Sequence, residues 1–179
     1  MKTILFIHCA GSQRSDDLVH YLKQSLRSEH NVAYPEMPNP EAPEYDQWVK
    51  QVEKELSFID GEVILVGHSL GGAVLVKYLS EKSPPLPQVT GLYLIAPPFW
   101  GRDEEWQNEA FTITDPSTLL SIDRVVLYHS RSDHVVPSSH QTFYREIFPN
   151  AIIRTLNGND HFFIGGLPEL VADLKQGKS

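Results

Sequence analysis

Ser69 stands in the run Gly67-His68-Ser69-Leu70-Gly71-Gly72, directly after the apolar stretch Val63-Ile64-Leu65-Val66 and directly before Ala73-Val74-Leu75-Val76. The pattern reads as a strand, a sharp turn and a helix. Such a turn forces its central residue into a strained backbone conformation. It also brings neighbouring chain so close that only glycine fits two places to either side. The serine Oγ is thereby lifted above the sheet, over a helix N-terminus that favours negative charge. Ser69 is the expected nucleophile, and the Leu70 N–H the expected first oxyanion donor. Elsewhere the same string would be an ordinary turn; its place between a strand and a helix gives it chemical meaning.

A serine hydroxyl is too weak an acid to attack unaided. It needs a histidine base and a carboxylate that holds the histidine in the right tautomer. Asp133, in Ser130-Arg131-Ser132-Asp133-His134-Val135-Val136-Pro137, follows an apolar run at 125–129. His161, in Gly158-Asn159-Asp160-His161-Phe162-Phe163, follows a run at 151–156. Both sit where a strand gives way to a loop, in the chain order serine, acid, base. Asp133 also suits a turn or a helix cap. Asp160 is a rival acid, but adjacent side chains diverge, so it is expected to shape the turn. His134 is a rival base. His20, His30 and His140 belong to helices or their ends, and His129 closes a strand. His68 lies too near Ser69 along the chain to reach its hydroxyl easily.

Six apolar runs must supply the strands that carry these loops: 3–8, 31–34, 63–66, 92–96, 125–129 and 151–156. Those at 31–34 and 151–156 are the weakest and belong at the sheet edges. Between them, residues 16–27 carry Leu18, Val19, Leu22 and Leu26, and residues 45–58 carry Trp48, Val49, Val52 and Leu56, both at helical spacing. Residues 71–80, 139–148 and 167–175 supply three more helices. Alternating strands and helices build a parallel sheet covered on both faces. No repeat or linker interrupts the pattern, so residues 1–179 are expected to form one domain. Residues 97–119 break the alternation. This segment leaves the end of a strand, on the rim where open α/β sheets bind ligands. Its Phe99, Trp100 and Trp106 are candidates for the apolar wall of a substrate pocket, or for cover over the core.

A net charge of −8 with scattered Lys and Arg disfavours nucleic acid or an anionic membrane as the main partner. The single cysteine, Cys9, cannot make an internal disulfide, and the apolar run 4–7 is too short for a signal-peptide core. A cytoplasmic location is the expectation. No apolar run reaches the roughly 18 residues of a membrane span. Cys and His pairs with zinc-site spacing, phosphate-binding loops and dinucleotide fingerprints are all missing, so neither metal nor cofactor is expected.

Assembled, these residues resemble the α/β-hydrolase superfamily, and within it the compact serine hydrolases of the retinoblastoma-binding protein nine and YdeN-like type. The resemblance rests on the opening strand with Ile7-His8, the elbow Gly-His-Ser-Leu-Gly-Gly, the acid loop at 130–137 and the closing Asp160-His161-Phe162. It implies a three-layer α/β sandwich around a six-stranded, mostly parallel sheet, lacking the first two strands of larger relatives. It also implies a triad of Ser69, Asp133 and His161, with carboxylesterase-like action on small esters. The second oxyanion N–H of such enzymes comes from the loop after the first strand, here Cys9-Ala10-Gly11. Ala10 is the first choice. Many hydrolases have His-Gly where this chain has His8-Cys9, which leaves Cys9 as the alternative donor. A thioesterase or peptidase would use the same triad, and a binding module on a hydrolase fold is the reading from another class.

Overall fold

The computed structural model describes residues 1–11, 13–158 and 160–177 of the 179-residue chain. Among the described residues six strands and five α-helices alternate except between β4 and β5: β1 Lys2–Ile7, α1 Gln13–Leu26, β2 His30–Ala33, α2 Tyr45–Ser57, β3 Val63–His68, α3 Leu70–Ser80, β4 Val89–Ile95, β5 Val125–Ser130, α4 His140–Ile147, β6 Ile152–Leu156 and α5 Pro168–Gln176. The sheet order is β2-β1-β3-β4-β5-β6. All its pairings are parallel, so the expected "mostly parallel" sheet is wholly so.

The sheet divides its side chains with period two, as a pleated strand must. Leu5, Ile7, Leu65, Leu92, Leu94 and Leu127 face α2, α3 and α4, where Trp48, Val52, Val74 and Tyr144 meet them. Ile4, Phe6, Ile64, Val66, Tyr93 and Val126 face the other way, onto Leu18, Leu22 and Leu26 of α1 and Leu170 and Leu174 of α5. Burial on both faces explains why β1, β3 and β5 read as continuous apolar runs. Each of these buried Leu, Ile or Val side chains stabilises the fold by about 1.5–3 kcal/mol relative to exposure. β2 and β6 lie at the edges, and Ile152 on β6 is half-exposed.

Helix α5 is fixed to the sheet by a buried carboxylate. Asp173 accepts from Arg154 Nε at 2.9 Å and Nη2 at 2.7 Å on β6, and from the Tyr128 hydroxyl at 2.7 Å on β5. Burial alone would raise the Asp173 pKa, but these donors bring it below the usual carboxylate value. Residues 97–119 form no long helix. They hold two short 3-10 turns, Glu109–Phe111 and Ser117–Ser121, the first capped by the Asn108 side chain on the Ala110 N–H. Among the described residues, no helix is long and apolar enough to cross a membrane.

Candidate active site

Ser69 joins β3 to α3 at φ 51° and ψ −120°, a conformation that L residues rarely hold. What holds it there is close packing and a tie to the next strand. Its N–H donates to the Ile95 carbonyl at 2.7 Å, and its own carbonyl accepts from Gly72 N–H at 2.9 Å and Ala73 N–H at 3.2 Å. A Cβ on Gly67 would come within 2.5 Å of the Gly72 Cα, and one on Gly71 would collide with the Ile7 and His8 carbonyls. The glycines are thus required by contact between backbones. Leu70 opens α3, where the first N–H groups have no helical acceptor.

The acid and base candidates meet on the neighbouring loops. His161 Nδ1 stands 2.8 Å from Asp133 Oδ2, and both side chains are buried. The other carboxylate oxygen accepts from the Val135 and Val136 N–H groups at 2.8 and 2.9 Å. Burial would raise the Asp133 pKa, but the His161 bond and these two amides hold it below the ordinary carboxylate value. His129 Nε2 lies 3.4 Å from the same Oδ2 and donates to the Val136 carbonyl, and burial lowers its pKa. Asp160 accepts from the Phe162 and Ile164 N–H groups and so shapes the turn that presents His161. His134 is exposed, its ring beside Phe162. The structure thus pairs Asp133 with His161 and leaves both rivals in other roles.

His68 is where the structure goes beyond the sequence reading. The side chain is fully buried, with Nε2 2.8 Å from the His161 carbonyl and Nδ1 2.9 Å from Ser15 Oγ. A carbonyl can only accept, so Nε2 carries the proton and Nδ1 takes the Ser15 hydroxyl proton. Ser15 Oγ in turn accepts from the Cys9 N–H at 3.1 Å. One chain of hydrogen bonds therefore joins the loop after β1, the elbow and the base loop. Burial, with the nearby His161 charge second, lowers the His68 pKa to about 3.

That chain also bears on the oxyanion candidates. The Cys9 N–H is already spent on Ser15, whereas among the described residues no hydrogen bond engages the Ala10 N–H. Ala10 is exposed. His8, with Nε2 accepting from the Met37 N–H and Nδ1 donating to the Cys9 carbonyl at 2.6 Å, braces this loop against the chain after β2.

The aromatic residues of 97–119 form a cluster. Phe99 is buried against Phe143 and Tyr144, and its N–H donates to His140 Nδ1. Trp100 packs between Trp106 and Phe111, and Trp106 stands edge-on to His140. Phe99 thus packs in the core, while Trp100 and Trp106 remain partly exposed. Pro97, at the start of the segment, lies close to Gly72 behind the elbow. Among the described residues no group of three or more His, Cys, Asp or Glu is placed to hold a metal ion.

A profile of serine hydrolases matches residues 5–162, from β1 through the base loop. The chain belongs to the serine hydrolase family. As a serine hydrolase it is an enzyme, and its parallel sheet and helices have the arrangement of α/β-hydrolase structures. The ydeN gene product of B. subtilis is similar at 20% identity and a TM-score of 0.82, over 99% of this chain and 98% of that one. A putative YdeN-like hydrolase from Pectobacterium atrosepticum aligns at 16% identity and 0.76, over 98% and 90%. Est1E from Butyrivibrio proteoclasticus, with ferulic acid bound, aligns at 15% and 0.75, over 98% and 87%. No curated protein matches the chain.

Proposed function

We propose that this serine hydrolase cleaves small carboxylic esters through an acyl-serine intermediate, with Ser69, His161 and Asp133 as nucleophile, base and acid. The observation that carries this reading is the 2.8 Å pair of His161 and Asp133, tied through the His161 carbonyl to His68, the residue preceding a strained Ser69. With Nδ1–H engaged by Asp133, His161 Nε2 is the nitrogen left to take a proton.

His161 takes the Ser69 proton as Oγ attacks the ester carbonyl, and Asp133 stabilises the imidazolium that results. The Leu70 and Ala10 N–H groups hold the oxyanion, the choice of Ala10 over Cys9 being supported by the Ser15 hydroxyl that occupies the Cys9 N–H. Collapse passes the proton from His161 to the leaving alcohol. Water then attacks the acyl-serine with His161 again as base, releasing acid and free Ser69. The outer edge of the aromatic cluster, Trp100 and Trp106, forms the apolar side of the substrate site.

Ester over thioester or amide is the class of the similar structures described as esterases. Ser69→Ala is expected to abolish both turnover of a p-nitrophenyl short-chain ester and labelling by a fluorophosphonate. Retention of both in the folded variant would overturn the reading. Faster turnover of a matched thioester or peptide amide would move the substrate class and leave the triad in place.

A further inference from the structure

The proposed acyl transfer gives the buried His68, next to the nucleophile, no proton to carry. His68 cannot serve as a second base, because both its ring nitrogens are engaged: Nε2–H by the His161 carbonyl and Nδ1 by the Ser15 hydroxyl. These contacts bridge residues 93 and 53 positions away in the chain, on the loop after β6 and in the first turn of α1. The His161 ring lies against the His68 ring, centroids 5.4 Å apart, so the base is held at its main chain and along one face by the same residue. Phe162 and Phe163 close edge-on around His68.

We propose that His68 is a positioning residue for the reaction, a neutral strut that sets the His161 main chain and, through Ser15, the oxyanion loop in register with Ser69. The inference rests on the triad reading above. Its geometry is economical. The strut is the residue bonded to the nucleophile itself, so any displacement of the elbow carries the base and the Cys9-Ala10 turn with it. The relay has a defined direction, Cys9 N–H to Ser15 Oγ–H to His68 Nδ1 on one side, and His68 Nε2–H to the His161 carbonyl on the other. Neutrality matters as well. His161 becomes a cation in the transition state, and a second imidazolium against its face would oppose that charge. Deep burial keeps His68 uncharged at neutral pH.

The test compares His68→Leu, His68→Gln and Ser15→Ala with wild type in steady-state ester hydrolysis, with thermal melts alongside. Leu fills space but donates nothing. Gln places an amide donor and acceptor where the imidazole had them. A misplacement of about 1 Å at reacting groups costs about 100-fold in rate. His68→Leu is therefore expected to lower kcat about 10- to 100-fold with KM within about twofold, a loss confined to the transition state. Gln should recover most of that loss, and Ser15→Ala should lower kcat about 3- to 10-fold.

Asp173→Asn, remote from the site, is the control that lowers the melting temperature without changing kcat. A folded His68→Leu enzyme within about twofold of wild-type kcat overturns the proposal, as does a Gln variant no better than Leu. If the Leu protein does not fold, Ser15→Ala decides: wild-type kcat there overturns it. Ser69→Ala and His161→Ala run in parallel. Turnover surviving in either would defeat the triad itself, a result distinct from any outcome at His68.

Discussion

His161 Nδ1 and Asp133 Oδ2 face each other across 2.8 Å while two backbone amides grip the other carboxylate oxygen, so the carboxylate is held from both sides. In the proposed mechanism the carboxylate holds the imidazole in one tautomer and stabilises its charged form. Asp133→Asn keeps the shape but can present an N–H to Nδ1, favouring the wrong tautomer. A kcat loss of about 10³- to 10⁴-fold at pH 7 is expected, with the melting temperature little changed. Near-normal kcat in a folded Asn variant would leave Asp133 a turn residue only.

Gly71→Ala should damage folding more than any other single-methyl addition at the elbow. The added carbon meets the Ile7 and His8 carbonyls on β1, rigid backbone that cannot give way. A destabilisation of at least about 3 kcal/mol is expected, as for severe overpacking. Urea unfolding monitored by tryptophan fluorescence measures it, and a loss under 1 kcal/mol would contradict the contact.

Acid should unfold this protein earlier than its carboxylates alone would require. His8, His68, His129 and His140 all have pKa values lowered from 6.5, with burial the largest cause in each. Above pH 6.5 neither folded nor unfolded chain protonates them, and their stabilising effect is complete. Below it the unfolded chain takes up protons that the folded one refuses. For His68 stability then falls by about 1.4 kcal/mol per pH unit, continuing towards pH 3, and His8, His129 and His140 act in the same direction. Asp133 and Asp173, with lowered values, add their loss only below the ordinary carboxylate pKa of 3.8. The urea midpoint should therefore drop steadily from pH 6.5 to 4.5, and His68→Gln should reduce that slope by about one proton. A flat midpoint over this range would contradict the burial of neutral imidazoles.

Phe99→Ala should lower stability by about 3–5 kcal/mol, since the ring fills space against Tyr144 and Phe143. The preference for acyl length should stay as it was. Trp106→Ala is expected to do the reverse: a small stability loss and a shifted preference across an ester series of graded length. If Trp106→Ala leaves the series unchanged, that edge of the cluster is cover for the core alone.

What could be read from sequence depended on how far away each residue's partners lie. β1, β3 and β5 were visible because burial on both faces leaves nothing polar to interrupt them. β4 begins at Val89, three residues before its apolar run, because Val89 and Gly91 pair with β3 across a register shift at Thr90, with no apolar pattern to announce them. The elbow could be read because its constraints fall within six residues. His68 could not: sequence reasoning asked whether it could reach Ser69, whereas its partners are Ser15 and His161, brought together only by the sheet order. That the Cys9 N–H is engaged depends likewise on Ser15, whose hydroxyl nothing in the motif singles out. For Phe99, Trp100 and Trp106, apolar wall and core cover demand the same side chains, and only packing tells them apart.

Ser69 sits in a backbone conformation that costs an L residue on the order of 1–3 kcal/mol and that glycine would hold at ease. Folding alone would therefore be better served by glycine at the very position where the proposed mechanism requires a hydroxyl. A library of position-69 variants sorted only by resistance to heat should enrich glycine, and its survivors would be sturdier proteins that cleave nothing. The nucleophile persists at this position only where turnover is selected along with stability.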